Sequence, residues 1–467
     1  MLLFALAVSS CALKERPPHD EILRQAAPNL ITPAQWVAPG STASPVTDNW
    51  LLAWKEPALE ALVAEALVYN SDLRLAAARV DLAAAYVRAA GSPIWPQVNF
   101  VARGGGKMGG DATGLQGAGL FASWELDLWG RVRAEKAATE EQYESATLDA
   151  AYARQSVAAL VAKGWVLAVE ARLAKARAEA MQKSAEHLVA LARDRLRVGV
   201  GDEYEVALAQ ANAESFRDTV RSLDLNYQNA LRALETLVGR YPGASVAVAG
   251  ALPQWPGDIP AGLPAELLER RPDVVAAERR VAAAFYRVEE AKAARLPRIS
   301  LVANATSLSS EMFVLKSRDN PVASFGAGLV QPIFLGGYLQ AQVDARTAEQ
   351  QSSIADYGRV SAKVFGEVEG ALSAGFAAAE REAILSRSRQ ENARALELAN
   401  IRYRVGSGDL RGVQQQQLAL YAVEVALLQV QTERLLQRVN LHLALGGNFD
   451  LPATLPTKVS QAPRVRP

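Results

Sequence analysis

One octapeptide limits what this chain can fold into more than any other feature, because it is written twice. Arg195-Leu196-Arg197-Val198-Gly199-Val200-Gly201-Asp202 returns as Arg402-Tyr403-Arg404-Val405-Gly406-Ser407-Gly408-Asp409, 207 residues later. The echo extends well beyond the peptide. Asp72 to Val80 is answered by Asp273 to Val281 at an offset of 201, and Pro96 to Phe100 by Pro297 to Leu301 at the same offset. Asp127-Leu128-Trp129-Gly130 reads against Ile333-Phe334-Leu335-Gly336 at 206. A unit of roughly 200 residues has been duplicated, so whatever one half builds, the other builds again.

Between the repeated peptides, proline and glycine almost vanish. The stretch from about Val132 to Val198 holds no proline and one glycine, Gly164; its partner from about Leu339 to Val405 also lacks proline. Each predicts a helix on the order of 100 Å long, against about 11–12 residues for an average globular helix. Each turns at Val-Gly-x-Gly-Asp and returns through about 203–237 or 409–445. The glycines suit a left-handed C-cap, and Asp202 and Asp409 are placed to cap the returning helix. Shorter helices precede these hairpins. Leu59, Leu62, Val63, Ala66 and Leu67 share one helical face, and a second helix is expected from about Ser71 towards Ala90.

The pieces between helices change period from 3.6 to 2. Val98, Phe100 and Ala102 alternate with Gln97, Asn99 and Arg103; Ala122, Trp124, Leu126 and Leu128 alternate with Ser123, Glu125 and Asp127. Ile299, Leu301, Ala303 and Ala305 stand against Arg298, Ser300, Asn304 and Thr306, and Phe325, Ala327 and Leu329 follow. Strands of about ten residues, apolar on one face and polar on the other, suit a transmembrane β-barrel. Four strands cannot close one, since about eight are needed. An open edge in lipid would leave backbone groups unpaired, so closure requires strands shared between chains by cyclic symmetry. Trp95, Trp124 and Trp129 are placed for an aromatic girdle.

Composition removes other classes. Lys+Arg and Asp+Glu are equal at 50 each, so no net field recruits nucleic acid. No internal apolar run reaches the 18 or so residues of a membrane-spanning helix. Three separated histidines and one cysteine provide neither a metal site nor a disulfide framework. That cysteine follows Val8-Ser9-Ser10, the pattern of a bacterial lipoprotein signal with Cys11 as the acylated residue. The segment lacks the usual basic n-region. Ala12 is not the Asp associated with inner-membrane retention. Residues 12–48, rich in Pro, read as an extended tether, and residues 448–467 as a C-terminal tail.

Assembled, these motifs resemble the outer membrane factors, the TolC-like exit ducts of bacterial tripartite efflux pumps, and in particular their lipoprotein branch. The carriers are Trp50-Leu51-Leu52-Ala53-Trp54 with Pro57-Ala58-Leu59, Asn70-Ser71-Asp72-Leu73, Trp124 to Arg131, Gln331 to Gly337, and both Val-Gly tips. The resemblance spans about 49–447, with repeat 1 at 49–250 (strand pair about 96–129, tip at 198–202) and repeat 2 at 251–447 (strand pair about 297–335, tip at 405–409). It implies a mainly α fold with a small transmembrane β part. The long hairpins form an α-barrel, and each chain lends four strands to a trimeric twelve-stranded β-barrel. It further implies a homotrimer anchored by lipid in the outer membrane and extending into the periplasm. Its partners are a periplasmic adaptor and an inner membrane RND-type transporter.

The duct is then passive, with no catalytic residue, cofactor or metal expected. The adaptor-contact candidates are Val198, Gly199, Val200, Gly201, Val405, Gly406, Ser407 and Gly408. Related ducts close the periplasmic end with rings of charged and bulky side chains on the helix after the second tip. Where relatives often carry Asp and Arg, this chain has Gln415 and Leu418. The gate candidates are therefore Tyr403, Asp409, Arg411 and Gln415. The same fold serves protein secretion, which is the alternative reading. A periplasmic adaptor lipoprotein is more distant, because adaptors carry one hairpin and many more strands.

Overall fold

The computed structural model describes residues 14–39, 50–103, 116–255, 257, 261–262, 264–309 and 322–447. Cys11 and the C-terminal tail lie outside them. The helices are α1 (His19–Ala26), α2 (Pro57–Tyr69), α3 (Ser71–Gly91), α4 (Arg131–Arg197), α5 (Glu203–Val238), α6 (Leu267–Arg270), α7 (Pro272–Ala293), α8 (Tyr338–Arg404) and α9 (Leu410–Ala444). The strands are β1 (Gln97–Arg103), β2 (Gln116–Leu126), β3 (Arg298–Ser309) and β4 (Val322–Val330). Both long helices, α4 and α8, contain 67 residues, as expected for two copies of one unit. No described helix is long and apolar enough to cross a membrane. The chain divides into two compact units.

The first unit comprises residues 1–31, 76–150 and 272–362 and contains the whole sheet. Its strands pair antiparallel in the order β1-β2-β3-β4, leaving β1 and β4 as edges. The register brings the period-two pattern into rows. Phe100 lies opposite Leu120, Leu120 opposite Ala305, and Ala305 opposite Ala323. Val98, Ala122, Ala303 and Phe325 form the next row, and Trp124, Leu301 and Ala327 another. One face is therefore apolar, and it is exposed: Phe100 is 68%, Phe325 78% and Leu329 66% accessible. The other face carries Asn99, Asn304 and Ser324, with the Ser324 hydroxyl donating to Asn304 Oδ1 at 2.9 Å. Gly119 sits where a Cβ would come within 2.5 Å of the Thr306 methyl, so the register needs glycine there.

The two hairpins correct the offset read from sequence. Val98 pairs with Ala122 as Ile299 pairs with Leu329. With β1 and β3 related by 201, β2 and β4 must be related by 207, not 206. Gly130 then answers Gly337, and both have positive φ, +75° and +82°. Short turns read against one another by residue type slip easily by one, whereas backbone pairing fixes the phase.

The stretch expected to be an extended tether contains a helix, α1. Pro18 precedes it, Asp20 and Glu21 occupy its first turn, and Ile22 is buried beneath it. His19 Nδ1 lies 2.8 Å from Glu278 Oε2 on α7, and its ring meets Tyr357 of α8 edge-on. At Gly358 of α8 a Cβ would stand 2.3 Å from the Ala26 carbonyl oxygen. The glycine lets the backbone of α1's end lie directly on α8. A second tie in this unit joins α7 to α4: Arg280 reaches Asp149 at 2.6 Å, and Arg279 reaches Glu141 and Glu144 at 3.2 and 3.0 Å.

The second unit comprises residues 32–75, 151–271 and 363–467. Its main core gathers Trp50, Leu51 and Trp54, the α2 residues Leu59, Leu62, Val63 and Ala66, and Val157 to Val169 of α4. Leu231, Leu234 and Val238 of α5 and Leu435 and Val439 of α9 complete it. Burying Leu59, Val63 and Leu234 contributes about 1.5–3 kcal/mol each before entropy is subtracted. Glu235 is wholly buried yet satisfied, accepting from the Ala244, Ser245 and Val246 N–H groups and the Ser245 hydroxyl. Burial pushes its carboxyl up, but those four donors more than reverse this and hold it below the usual carboxylate range. A separate apolar cluster, Ala185 to Ala192 with Ala209, Ala213, Phe216, Tyr403, Leu410 and Val413, lies towards the helical tips.

Candidate functional site

The repeated octapeptide forms the two tips, and the geometry explains its glycines and its aspartate. At the end of α4, the Gly199 N–H donates to the Leu196 carbonyl and the Val200 N–H to the Arg195 carbonyl, both at 3.0 Å. At the end of α8, Gly406 and Ser407 do the same to Tyr403 and Arg402, at 3.2 and 2.9 Å. This Schellman closure requires a left-handed residue at Gly199 and Gly406, whose φ angles are +77° and +78°. The second glycine of each tip has a different reason. A Cβ on Gly201 would meet Arg195 Cβ at 3.0 Å, and one on Gly408 would meet Arg402 Cβ at 3.0 Å. The aspartates then start the return. Asp202 Oδ1 accepts from the Glu205 N–H, and Asp409 Oδ1 from the Gly412 N–H, both at 2.8 Å.

What the turn chemistry leaves over is a set of exposed apolar knobs. Val198, Val200 and Val405 are 67%, 62% and 71% accessible. All three lie beside the tip glycines, and the described residues leave them largely uncovered.

The gate candidates occupy four different environments. Tyr403 is completely buried. Its ring lies under the Arg195 guanidinium at 4.7 Å, and its hydroxyl donates to Glu205 Oε2 at 3.4 Å. Arg195 also donates to the Tyr403 and Val200 carbonyls and faces Glu205 at 3.6 Å. Burial, with the Glu205 charge beside it, pushes the Tyr403 phenol above its ordinary value. Asp409 spends its carboxylate on the cap. Arg411 donates to the Tyr204 hydroxyl at 2.8 Å. Gln415 is exposed, as is Leu418 one turn further on, and Arg411, Gln415 and Leu418 form a single stripe along α9.

The opposite side of α9 locks onto the first hairpin. Gln414 Nε2 donates to the Leu208 carbonyl, and Gln417 Nε2 to the Ser184 hydroxyl at 2.8 Å. Arg195, Tyr204, Glu205, Gln414 and Gln417 thus join the candidates as the residues that tie the two tips together. Four successive glutamines occupy positions 414–417. On a helix they divide, with Gln414 and Gln417 inward and Gln415 outward.

A duplicated pair of long helical hairpins, joined to four strands whose apolar face is bare, is the arrangement of an outer-membrane channel protein. The family model for outer membrane efflux proteins matches twice, over residues 62–240 and 263–447, once for each repeat. The chain belongs to the outer membrane efflux protein family. It is 32% identical to the pyoverdine export outer membrane protein OpmQ of Pseudomonas aeruginosa, covering 90% of this chain and 92% of OpmQ. It is 30% identical to the outer membrane protein OprJ of the same species, covering 96% and 95%. The CmeC outer membrane channel of Campylobacter jejuni superposes with a TM-score of 0.83 at 25% identity, over 91% of this chain and 95% of CmeC. The chain is the outer membrane channel of an efflux pump.

Proposed function

We propose that the chain works as a homotrimer, the exit duct through which small toxic molecules or drugs leave a tripartite efflux system. A periplasmic adaptor docks on the exposed valines of the tips, and an inner membrane transporter of the RND type supplies the energy. The duct itself is passive: it keeps the solute out of the periplasm on its way outside. Cys11, which lies outside the described residues, carries the lipid that anchors the N-terminus in the outer membrane. At the periplasmic end the stripe of Arg411, Gln415 and Leu418 faces the bore, and the Tyr403–Arg195–Glu205 contacts hold the two hairpins together behind it.

The observation that carries the docking reading is the exposure of Val198, Val200 and Val405 on glycine-shaped turns whose own hydrogen bonds are already complete. Small, largely exposed apolar groups beside glycine turns suit a helical partner that approaches closely. The test replaces Val200 and Val405 with Glu. These side chains are largely exposed, so the fold and the trimer yield are expected to remain unchanged. Drug resistance conferred on an efflux-deficient Gram-negative host is expected to fall to the background of the empty vector. Full resistance in the double variant would remove the docking role.

A further inference from the structure

Arg411 stands at the head of an exposed stripe on α9, and the stripe has no other charge. Between 411 and 430, α9 exposes Arg411, Gln415, Leu418, Ala422 and Gln429. Their helical spacing places all of them on one face. The other charged side chain of that span, Glu424, is half-buried and faces Arg389 of α8 at 3.2 Å. Arg411 donates to the Tyr204 hydroxyl at 2.8 Å, and its guanidinium lies over the Tyr204 ring, 5.5 Å from the centroid. That neutral seat fixes the cation without discharging it.

The first tip is an internal control for the second. At the offset of 207, residues 194–205 answer 401–412. The first tip sets Asp194, Asp202, Glu203 and Glu205 against Arg195 and Arg197, and both arginines are paired. Arg197 meets Asp194 at 2.9 Å, and Arg195 meets Glu205 at 3.6 Å. In the second tip the counterparts of Asp194, Glu203 and Glu205 are Ile401, Leu410 and Gly412, and the counterpart of Tyr204 is Arg411. Arg402, Arg404 and Arg411 therefore stand against Asp409 alone, whose carboxylate caps α9. The first tip has a surplus of two negative charges, the second a surplus of two positive ones. Arg402, Arg404 and Arg411 are all exposed, and among the described residues none of them forms an ion pair.

We propose that Arg411 makes the periplasmic mouth selective for anions, and that the solutes this duct passes most readily are organic anions bearing carboxylate or phosphate groups. The inference rests on the trimeric, bore-facing reading above and names the substrate class of that site. Threefold symmetry brings one Arg411 from each chain into a ring, and rings of Arg or Lys select anions in pores. A guanidinium fork matches two oxygens of a carboxylate or phosphate. Gln415, the next exposed position inward, adds neutral donors and no carboxylate that would hold a cation. The acidic surplus lies on the first hairpin and not on this stripe. A single ring leaves the hold weak enough for the solute to move on.

The experiment reconstitutes the full-length protein in planar bilayers and reads the reversal potential in a KCl gradient. Chloride should be preferred to potassium near 0.1 M salt, where charges act over about 10 Å, and the preference should fade near 1 M, where they act over about 3 Å. Arg411→Tyr copies the residue of the first tip and should abolish the preference; Arg411→Lys should keep it. Inorganic tripolyphosphate added on the tip side should block the pore, and its half-blocking concentration should rise at least about tenfold in Arg411→Tyr. Ile401→Asp gives Arg404 the partner that Asp194 gives Arg197 and leaves Arg411 in place. It should change the block far less, which separates the ring from the general charge of the tip. A conducting pore that prefers potassium, or a chloride preference and block that survive Arg411→Tyr, overturns the anion ring and leaves the duct standing. A protein that forms no conducting pore, parent and variants alike, overturns the duct reading itself.

Discussion

The aspartates at the two tips permit a quantitative test, because each makes one defined hydrogen bond. Asp202 and Asp409 each accept a backbone N–H from the first turn of the following helix at 2.8 Å, and both lie in exposed positions. Replacing either with Ala removes that acceptor and a negative charge at a helix N-terminus. Losses of this kind cost about 1 kcal/mol. Since about 1.4 kcal/mol is a tenfold change, the local opening constant should rise about fivefold. Hydrogen–deuterium exchange read by mass spectrometry is the suitable assay, because it resolves opening segment by segment. Peptides covering 203–207 in Asp202→Ala, and 410–414 in Asp409→Ala, should exchange about fivefold faster, while the cores of α4 and α8 do not change. Asn also caps well, so Asp→Asn should restore most of the protection. At position 409 the Asn variant separates two roles, since it keeps the cap and removes the charge. If Asp409 only caps, the conductance of Asp409→Asn in planar bilayers equals that of the parent. Unaltered exchange in the Ala variants would refute the capping argument, and equal loss in the Asn variants would assign the stabilisation to charge.

Two further outcomes follow from buried contacts. His442 is buried against Trp50, with rings 5.2 Å apart and nearly parallel. Burial, helped by the neighbouring Arg438 charge, pushes its pKa down from 6.5 to about 3. A depressed histidine pKa means the folded state resists a proton that the unfolded state accepts. Stability is therefore complete above about pH 6.5 and falls towards pH 3, by up to about 1.4 kcal/mol per pH unit from this group. His442→Phe keeps the stacking and should flatten the decline of melting temperature between pH 7 and pH 5; an unchanged slope would assign the acid sensitivity elsewhere. Gly358→Ala, which places a Cβ 2.3 Å from the Ala26 carbonyl oxygen, should lift α1 from α8. Limited proteolysis should then cut within 14–31 several-fold faster, and unchanged cutting would show that the strap yields without detaching.

Much of this architecture is legible in the residues themselves. Strand faces were readable because period-two alternation survives in Val98–Phe100–Ala102 and in Ile299–Leu301–Ala303, and the register only stacks rows already present. The caps were readable because Asp after Val-Gly-x-Gly has few other uses. The lock between the tips was not. Tyr403 is named from sequence as a gate candidate, but its burial under Arg195 depends on a residue 208 positions away. Pairings of that kind carry no local signature. Gln414 and Gln417 were not singled out for a simpler reason: residue type is constant through the run, and only helical phase separates them from Gln415. α1 was missed because eight residues between prolines are too few to show a period. What orders them is contact with α7 and α8: Ile22 is buried, and His19 reaches Glu278 and Tyr357.

The equal lengths of α4 and α8 also constrain how such a chain can change. Each residue added to one long helix moves its tip by about 1.5 Å along the axis and turns it by about 100°. An insertion of two turns in α4 alone would carry Val198 and Val200 about 10 Å beyond Val405 and break the Arg195–Tyr403 contact. The two halves cannot drift independently in length, however far their sequences diverge. A lengthened duct has to be edited twice, at matching depths, or not at all.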